Sequence, residues 1–232
     1  MTDKYLFPPT VPSLPIRGSE LRYPVNRIFC VGRNYHAHAI EMGRPVDKAN
    51  ARPFYFNKTA CTLVESGATV AYPPGTSNYQ FEMELVVAIG KPGFQIRPEQ
   101  ALDYIYGYAT GLDMTRRDLQ LLFRDQGRPW DLGKDFEESA VCGDIVPVGA
   151  LGMLTTGNIE LAVNGETKQK ADLSQLIWNI PELLADLSQF YHLQPGDLIL
   201  TGTPEGVGPV KAGDVITGSV AGVGEISLKI AA

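Results

Sequence analysis

The sequence is poor in the residues that build covalent or thiolate frameworks. Of 232 residues only three are cysteine, Cys30, Cys61 and Cys142. They are odd in number, far apart and never in a Cys-x-x-Cys pair, which excludes a disulfide scaffold and a zinc ribbon. Positive charge is in deficit, with 20 Lys and Arg against 26 Asp and Glu. The resulting net charge of −6 argues against nucleic acid and anionic membranes as partners. No apolar run approaches the roughly 20 residues that cross a bilayer. The start, Met1-Thr2-Asp3-Lys4-Tyr5, lacks a basic segment followed by an apolar one, so no secretory signal is expected and the cytoplasm is the expected compartment. Repeats, linkers and low-complexity stretches are missing as well.

What is present suits one soluble domain of the larger kind: 44% hydrophobic residues, 20% charged, 24 Gly and 17 Pro. Pro8, Pro9, Pro12, Pro15 and Pro24 among scattered apolar residues predict an extended arm over residues 1–26, lying on a body of residues 27–232. Within the body, 27–32 and 54–58 read as strands. A helix is expected from Tyr35 to about Met42, N-capped by Asn34 and stopped by Gly43. A short helix follows Pro98, a strand covers 106–112, and a second helix covers 115–123. Beyond Asn158 the chain turns strand-rich, with a hairpin turn at Gly165-Glu166. It is interrupted by a helix from Pro181 whose Leu183, Leu184, Leu187, Phe190 and Tyr191 line one side. The fold class read from this pattern is α+β dominated by β, with a few short helices.

The most informative stretch is Phe81 to Ile89, a strand by composition that carries Glu82 and Glu84. Side chains alternate faces along a strand, so Phe81, Met83, Leu85, Val87 and Ile89 share one apolar face. Glu82 and Glu84 share the other with Val86 and Ala88. Two like charges beside a core raise each other's pKa and require a compensating cation or water. An edge strand wet at one end is one solution. A divalent metal site is the other. Asp113, where a strand gives way to a helix, is either an N-cap or the third ligand of such a site. Three carboxylates form an oxygen-only donor set, which favours Mg²⁺ or Mn²⁺, with Ca²⁺ as a structural alternative.

A second constellation lies in residues 32–43, where His38 and Glu41, three apart on a helix, share a face. A carboxylate bonded to one imidazole nitrogen fixes the tautomer and leaves the other as a base near neutral pH. His36 falls on a different face, and His192 reads as a dipole partner at a helix C-terminus. Lys134 follows Gly133 and by itself suggests only a solvated side chain. The loop from Thr201 to Gly208 is Gly-rich but is followed by no Gly-Lys-Ser/Thr, which excludes a P-loop. Its N–H and hydroxyl groups remain suited to a carboxylate or enolate oxygen.

Five stretches in order resemble one family. They are residues 31–43 (VGRNYHAHAIEMG), 81–89 (FEMELVVAI), 107–120 (GYATGLDMTRRDLQ), 129–136 (PWDLGKDF) and 196–210 (GDLILTGTPEGVGPV). They are similar to the fumarylacetoacetate hydrolase superfamily, and within it to the short, single-domain branch that cleaves acylpyruvates and fumarylpyruvate. The resemblance implies a mixed β-sandwich or β-roll fold, usually in homodimers. It implies Glu82, Glu84 and Asp113 as metal ligands and His38 with Glu41 as the water-activating dyad. Lys134 would orient the substrate, with Arg33, Arg117, Gln120 and Thr203 in the pocket.

The expected activity is metal-dependent hydrolysis of the C3–C4 bond of a 2,4-diketo acid, giving fumarate and pyruvate from fumarylpyruvate in aromatic-compound breakdown. Alternatives on the same scaffold are acetylpyruvate hydrolysis, oxaloacetate decarboxylation and isomerisation of a 2-oxo-enedioate. A non-catalytic Ca²⁺-binding β protein is the alternative from another class. Fumarylpyruvate carries a second carboxylate at its far end, for which Arg116, Arg124 and Arg128 are the expected partners.

Overall fold

The computed structural model describes residues 4–232. Residues 1–3, the tip of the expected arm, lie outside the described residues. Two sheets dominate. The larger has eight strands, and its path runs through Phe54–Lys58, Ile28–Gly32, Leu198–Leu200, Met83–Ile89, Ile105–Asp113, Ala140–Cys142 and Leu63–Glu65. The smaller is five-stranded, built from Glu166–Asp172, Asn158–Val163, Val215–Val220, Gly224–Ile230 and Ala68–Val70.

The Met83–Ile89 strand is not an edge. It pairs antiparallel with Leu198–Leu200 on one side and Ile105–Asp113 on the other, and every residue in it is buried. The alternation expected of it separates two cores. Phe81, Met83, Leu85, Val87 and Ile89 pack in one cluster with Ile159, Leu161, Ile216 and Ile226 of the smaller sheet. Val86 and Ala88 belong to the other cluster, with Leu14, Ile16, Tyr23 and Val25. Residues 13–24 therefore do more than drape over the surface. Ser13–Pro15 pairs with Arg22–Pro24, and Leu14 and Ile16 pack on the outer face of the large sheet.

Several local expectations need correction. The first helix runs His36–Glu41 with Tyr35 at its N-cap position. Asn34 is instead spent on tertiary contacts: its side chain accepts from Trp178 N–H at 2.7 Å and donates to the Trp178 and Thr201 carbonyls. Those buried carbonyls needed a donor, and that demand overrode the local capping preference. Thr115 and Arg116 form a short strand against Tyr79–Phe81, so the helix there begins at Arg117 and runs to Asp125. The hairpin turn is Asn164-Gly165, with Asn164 at φ 51°, and Glu166 opens the next strand. The helix at Pro181 spans Ile180–Leu187, leaving Phe190 and Tyr191 beyond its end and largely exposed. His192 lies past that end too, stacked on Phe94 with ring centroids 4.0 Å apart.

Candidate active site

Sheet register builds the acidic cluster. In the antiparallel pair, Met83 faces Leu112 and Glu84 faces Gly111. Glu82 therefore lies opposite Asp113, whose N–H donates to the Glu82 carbonyl at 2.9 Å. Directly opposed residues share a face, as do residues two apart on one strand. Glu82, Glu84 and Asp113 thus converge, each buried, with one carboxylate oxygen from each within 4.8 Å of the others.

The cluster is only partly compensated. Lys134 Nζ lies 2.7 Å from Glu82 Oε2, 2.7 Å from Asp113 Oδ2 and 2.7 Å from Thr115 Oγ1. Arg117 donates to the other oxygen of Glu82, to Gln120 and, at 2.8 Å, to Gln80. Burial disfavours the Glu82 anion, but Lys134 and Arg117 outweigh it and hold its pKa well below the carboxylate range. Burial likewise disfavours the Lys134 ammonium, yet Asp113 and Glu82 keep its pKa above the ordinary lysine value.

Glu84 behaves in the opposite way. Burial, then the charges of Asp113 and Glu82, push its pKa well above normal. Among the described residues it forms no ion pair, and its one bond is from Gly202 N–H at 2.6 Å. Among the described residues the buried Asp113 Oδ1 accepts no hydrogen bond, although Lys58 Nζ lies 2.9 Å from it, off the bonding direction. A frustrated carboxylate and an orphaned acceptor, in an all-oxygen donor set, fit a divalent ion such as Mg²⁺ or Mn²⁺.

His38 and Glu41 are in contact, with His38 Nδ1 3.0 Å from Glu41 Oε2. The other Glu41 oxygen accepts from Gly206 N–H at 3.0 Å. The Gly-rich loop therefore spends two N–H groups on the protein's own carboxylates, Glu84 and Glu41. Both donors need glycine. Gly202 and Gly206 sit at φ +100° and +91°, and a Cβ on Gly206 would stand 2.0 Å from the Lys168 carbonyl. Burial opposes ionisation of Glu41, but the bonds from His38 and Gly206 win and lower its pKa. His36 is exposed, apart from the pair.

These groups open on a cavity of about 210 Å³. Its lining includes His38, Glu82, Glu84, Lys134, Arg117, Gln120, Thr203 and Arg33, and Glu41 touches it through His38. Thr203 Oγ1 also accepts from Gln169 at 2.8 Å. Of the arginines expected for a far carboxylate, only Arg124 lines this space. Arg116 is instead buried over the Phe136 ring, 4.2 Å from its centroid, and Arg128 is on the surface outside the cavity.

Sequence reasoning missed Lys58, whose ammonium is buried against Asp113. It also missed the aromatic wall of Phe56 and Trp130, whose ring centroids are 5.8 Å apart. The signal existed: Phe54, Phe56 and Lys58 alternate along one strand, placing the lysine in line with two aromatics.

Comparison with known proteins places the chain among relatives. Residues 27–231 match the family model described as fumarylacetoacetate (FAA) hydrolase, C-terminal. A fumarylpyruvate hydrolase from a Ralstonia species is 65% identical over 189 residues, 82% of this chain and 98% of the relative. An oxaloacetate tautomerase of Arabidopsis thaliana is 38% identical, over 88% of this chain and 90% of its own. Among solved structures, fumarylpyruvate hydrolase from Pseudomonas aeruginosa, in complex with Mn²⁺ and pyruvate, superposes with a TM-score of 0.94. It is 48% identical, and the match covers 98% of this chain and 99% of that one.

Proposed function

Because the chain belongs to the fumarylacetoacetate hydrolase family, we propose that it is a hydrolase of 2,4-diketo acids that cleaves fumarylpyruvate to fumarate and pyruvate. The observation that carries this reading is one cavity lined by Glu82 and Glu84 of a three-carboxylate cluster and by His38 of a His–Glu pair. The similarity to fumarylpyruvate hydrolases over nearly their whole length supports the choice of acyl group.

Glu82, Glu84 and Asp113 would hold the divalent ion, Mg²⁺ or Mn²⁺. When bound, that ion supplies a Lewis acid for the negative charge released as C3–C4 breaks. The chain's own residues do the rest. Ionised Glu41 selects the His38 tautomer with its proton on Nδ1, leaving Nε2 as the base. Nε2 takes a proton from the water that attacks the C4 carbonyl, and C3 takes up a proton as pyruvate leaves. Lys134, charged and anchored on Glu82 and Asp113, orients the substrate. Arg33, Arg117, Gln120 and Thr203 shape the pocket around it.

The setting proposed is cytoplasmic breakdown of an aromatic compound by a homodimer. Among the described residues no helix is long and apolar enough to cross a membrane. Leu6, Phe7 and Leu21, 90%, 76% and 73% exposed, supply apolar surface for a second subunit. Assay of the Mg²⁺- or Mn²⁺-loaded protein against fumarylpyruvate, acetylpyruvate and oxaloacetate tests the reaction. Turnover of oxaloacetate alone would overturn it in favour of the tautomerase-like chemistry.

A further inference from the structure

The cavity is electrically lopsided. Two of the three clustered carboxylates, Glu82 and Glu84, line it. Arg33, Arg44 and Arg124 line it as well. Arg44 follows the short helix that carries His38 and Glu41, and among the described residues its side chain makes no ion pair or hydrogen bond. Arg33 follows the Ile28–Gly32 strand at φ 56°, its guanidinium 5.6 Å from the centroid of the Phe54 ring and its buried Nε without a partner among the described residues. Among the described residues Arg124 pairs only with Asp125, at 2.9 Å. Burial, then the charges of Arg44 and Arg124, lowers the pKa of Arg33, so the three guanidiniums feel one another. Three cations with one exposed counter-charge await an anion.

Their distance from the carboxylates is set by a helix. Arg117, Gln120, Leu121 and Arg124 all line the cavity and stand at helical spacings of three, four and seven. Arg117 grips Glu82 at one end of this stripe. Arg124 stands two turns further on, about 10 Å of helix rise away. An extended acid anchored at the carboxylate cluster reaches that wall with its far end, past the Phe56–Trp130 side.

We propose that Arg33, Arg44 and Arg124 form a clamp for the distal carboxylate of the substrate and so select dicarboxylic 2,4-diketo acids over monocarboxylic ones. Guanidinium groups match a carboxylate in two-pronged fashion, and clustered charge at a half-buried wall is screened less than on open surface. The assignment rests on the reading of this cavity as the 2,4-diketo acid site.

The test uses the Mn²⁺-loaded full chain with Arg44→Ala, Arg124→Ala and the double variant, at an exposed and a partly exposed position. The ratio of kcat/KM for fumarylpyruvate over acetylpyruvate is expected to be tenfold or more in the native protein, and to fall at least tenfold in the double variant. Arg44→Lys should retain part of it, and Arg128→Ala, outside the cavity, all of it. In parallel, calorimetry compares fumarate with monomethyl fumarate, and the native protein should favour the dianion in an Arg44- and Arg124-dependent way. An unchanged ratio and an unchanged preference for fumarate in the double variant overturn the clamp while leaving the hydrolase intact. Absence of turnover on both diketo acids, with Arg-dependent fumarate binding preserved, overturns the hydrolase and leaves the clamp.

Discussion

Glu41 accepts a hydrogen bond from Gly206 N–H at 3.0 Å, across 165 positions of sequence, while its other oxygen holds His38. The contact ties the His36–Glu41 helix to the loop that follows the Leu198–Leu200 strand. The orientation of His38, the proposed base, thus depends on a backbone amide presented by a glycine at φ +91°. It also fixes a sign for pH. Glu41's folded pKa lies below its ordinary 4.5. The stability it contributes is therefore fully present above that value and is lost as pH falls through the lower folded one.

His38→Ala should lower kcat by roughly 10²–10⁴-fold, the scale of a positioned general base. Glu41→Gln should cost less, since the imidazole remains but its tautomer is no longer held. Gly206→Ala should lower kcat with the divalent ion still bound, because the forced loop shift removes the Glu41 anchor. His36→Ala, on the exposed face, should be nearly silent. Steady-state kinetics decide the assignment, and a larger loss at His36 than at His38 would reverse it.

The two strand glutamates should respond in opposite directions. Glu84→Gln replaces a buried carboxyl whose anion burial and its acidic neighbours disfavour, so the metal-free protein should melt at a higher temperature. Glu82→Gln leaves buried Arg117 without its carboxylate and Lys134 with Asp113 alone, and a buried charge left unpaired costs about 3–5 kcal/mol. Both variants should lose activity and the thermal shift that Mn²⁺ induces in the native protein. Calorimetry of metal-free and Mn²⁺-saturated samples measures the melting temperatures and the shift, and steady-state kinetics measure the activity. Equal melting of the two metal-free variants would argue that the cluster is not divided as described.

Much of this site was legible because it is written in strand alternation. Period two put Glu82 and Glu84 on one face and separated Met83, Leu85 and Val87 from Val86 and Ala88. The Asp113 boundary supplied the third carboxylate. What could not be read was register between distant strands, which sets Glu82 opposite Asp113 and depends on the whole sheet. Asn34 shows the same limit from another side. Its local signal is that of a helix cap, but the buried Trp178 and Thr201 backbone claims it. Arg44 was invisible for a related reason, since nothing local distinguishes it from solvated surface until the helix with Arg124 is placed across from it.

A structural carboxylate provides a control far from the chemistry. Asp197, fully buried, receives Arg27 Nε and Asn26 Nδ2 at 2.9 Å each and Gln194 N–H at 2.8 Å. This network joins the strand after residue 27 to the one after residue 197. Asp197→Ala should destabilise by about 3–5 kcal/mol by leaving Arg27 and two further donors unsatisfied. Urea unfolding should record the loss, while kcat per folded molecule stays near the native value. A kcat loss exceeding the unfolded fraction would place Asp197 in the catalytic network.

Lys58 offers a test in which stability and ion affinity move apart. Its ammonium is buried 2.9 Å from Asp113 Oδ1 and donates to the Met114 carbonyl at 3.1 Å and to that of Lys134. Without a divalent ion, this lysine helps to neutralise three adjacent carboxylates, so Lys58→Met should lower the melting temperature of the metal-free protein. With the ion present, the same ammonium repels it at close range in a medium that screens poorly. Removing that charge should tighten Mn²⁺ binding, by on the order of tenfold for each 1.4 kcal/mol of repulsion relieved. Titration of Mn²⁺ into native and Lys58→Met protein, with melting curves of both metal-free forms, reads the two effects separately. Weaker Mn²⁺ binding in the variant would mean that Lys58 acts chiefly by holding Asp113 in position, and the electrostatic account of its role would fail.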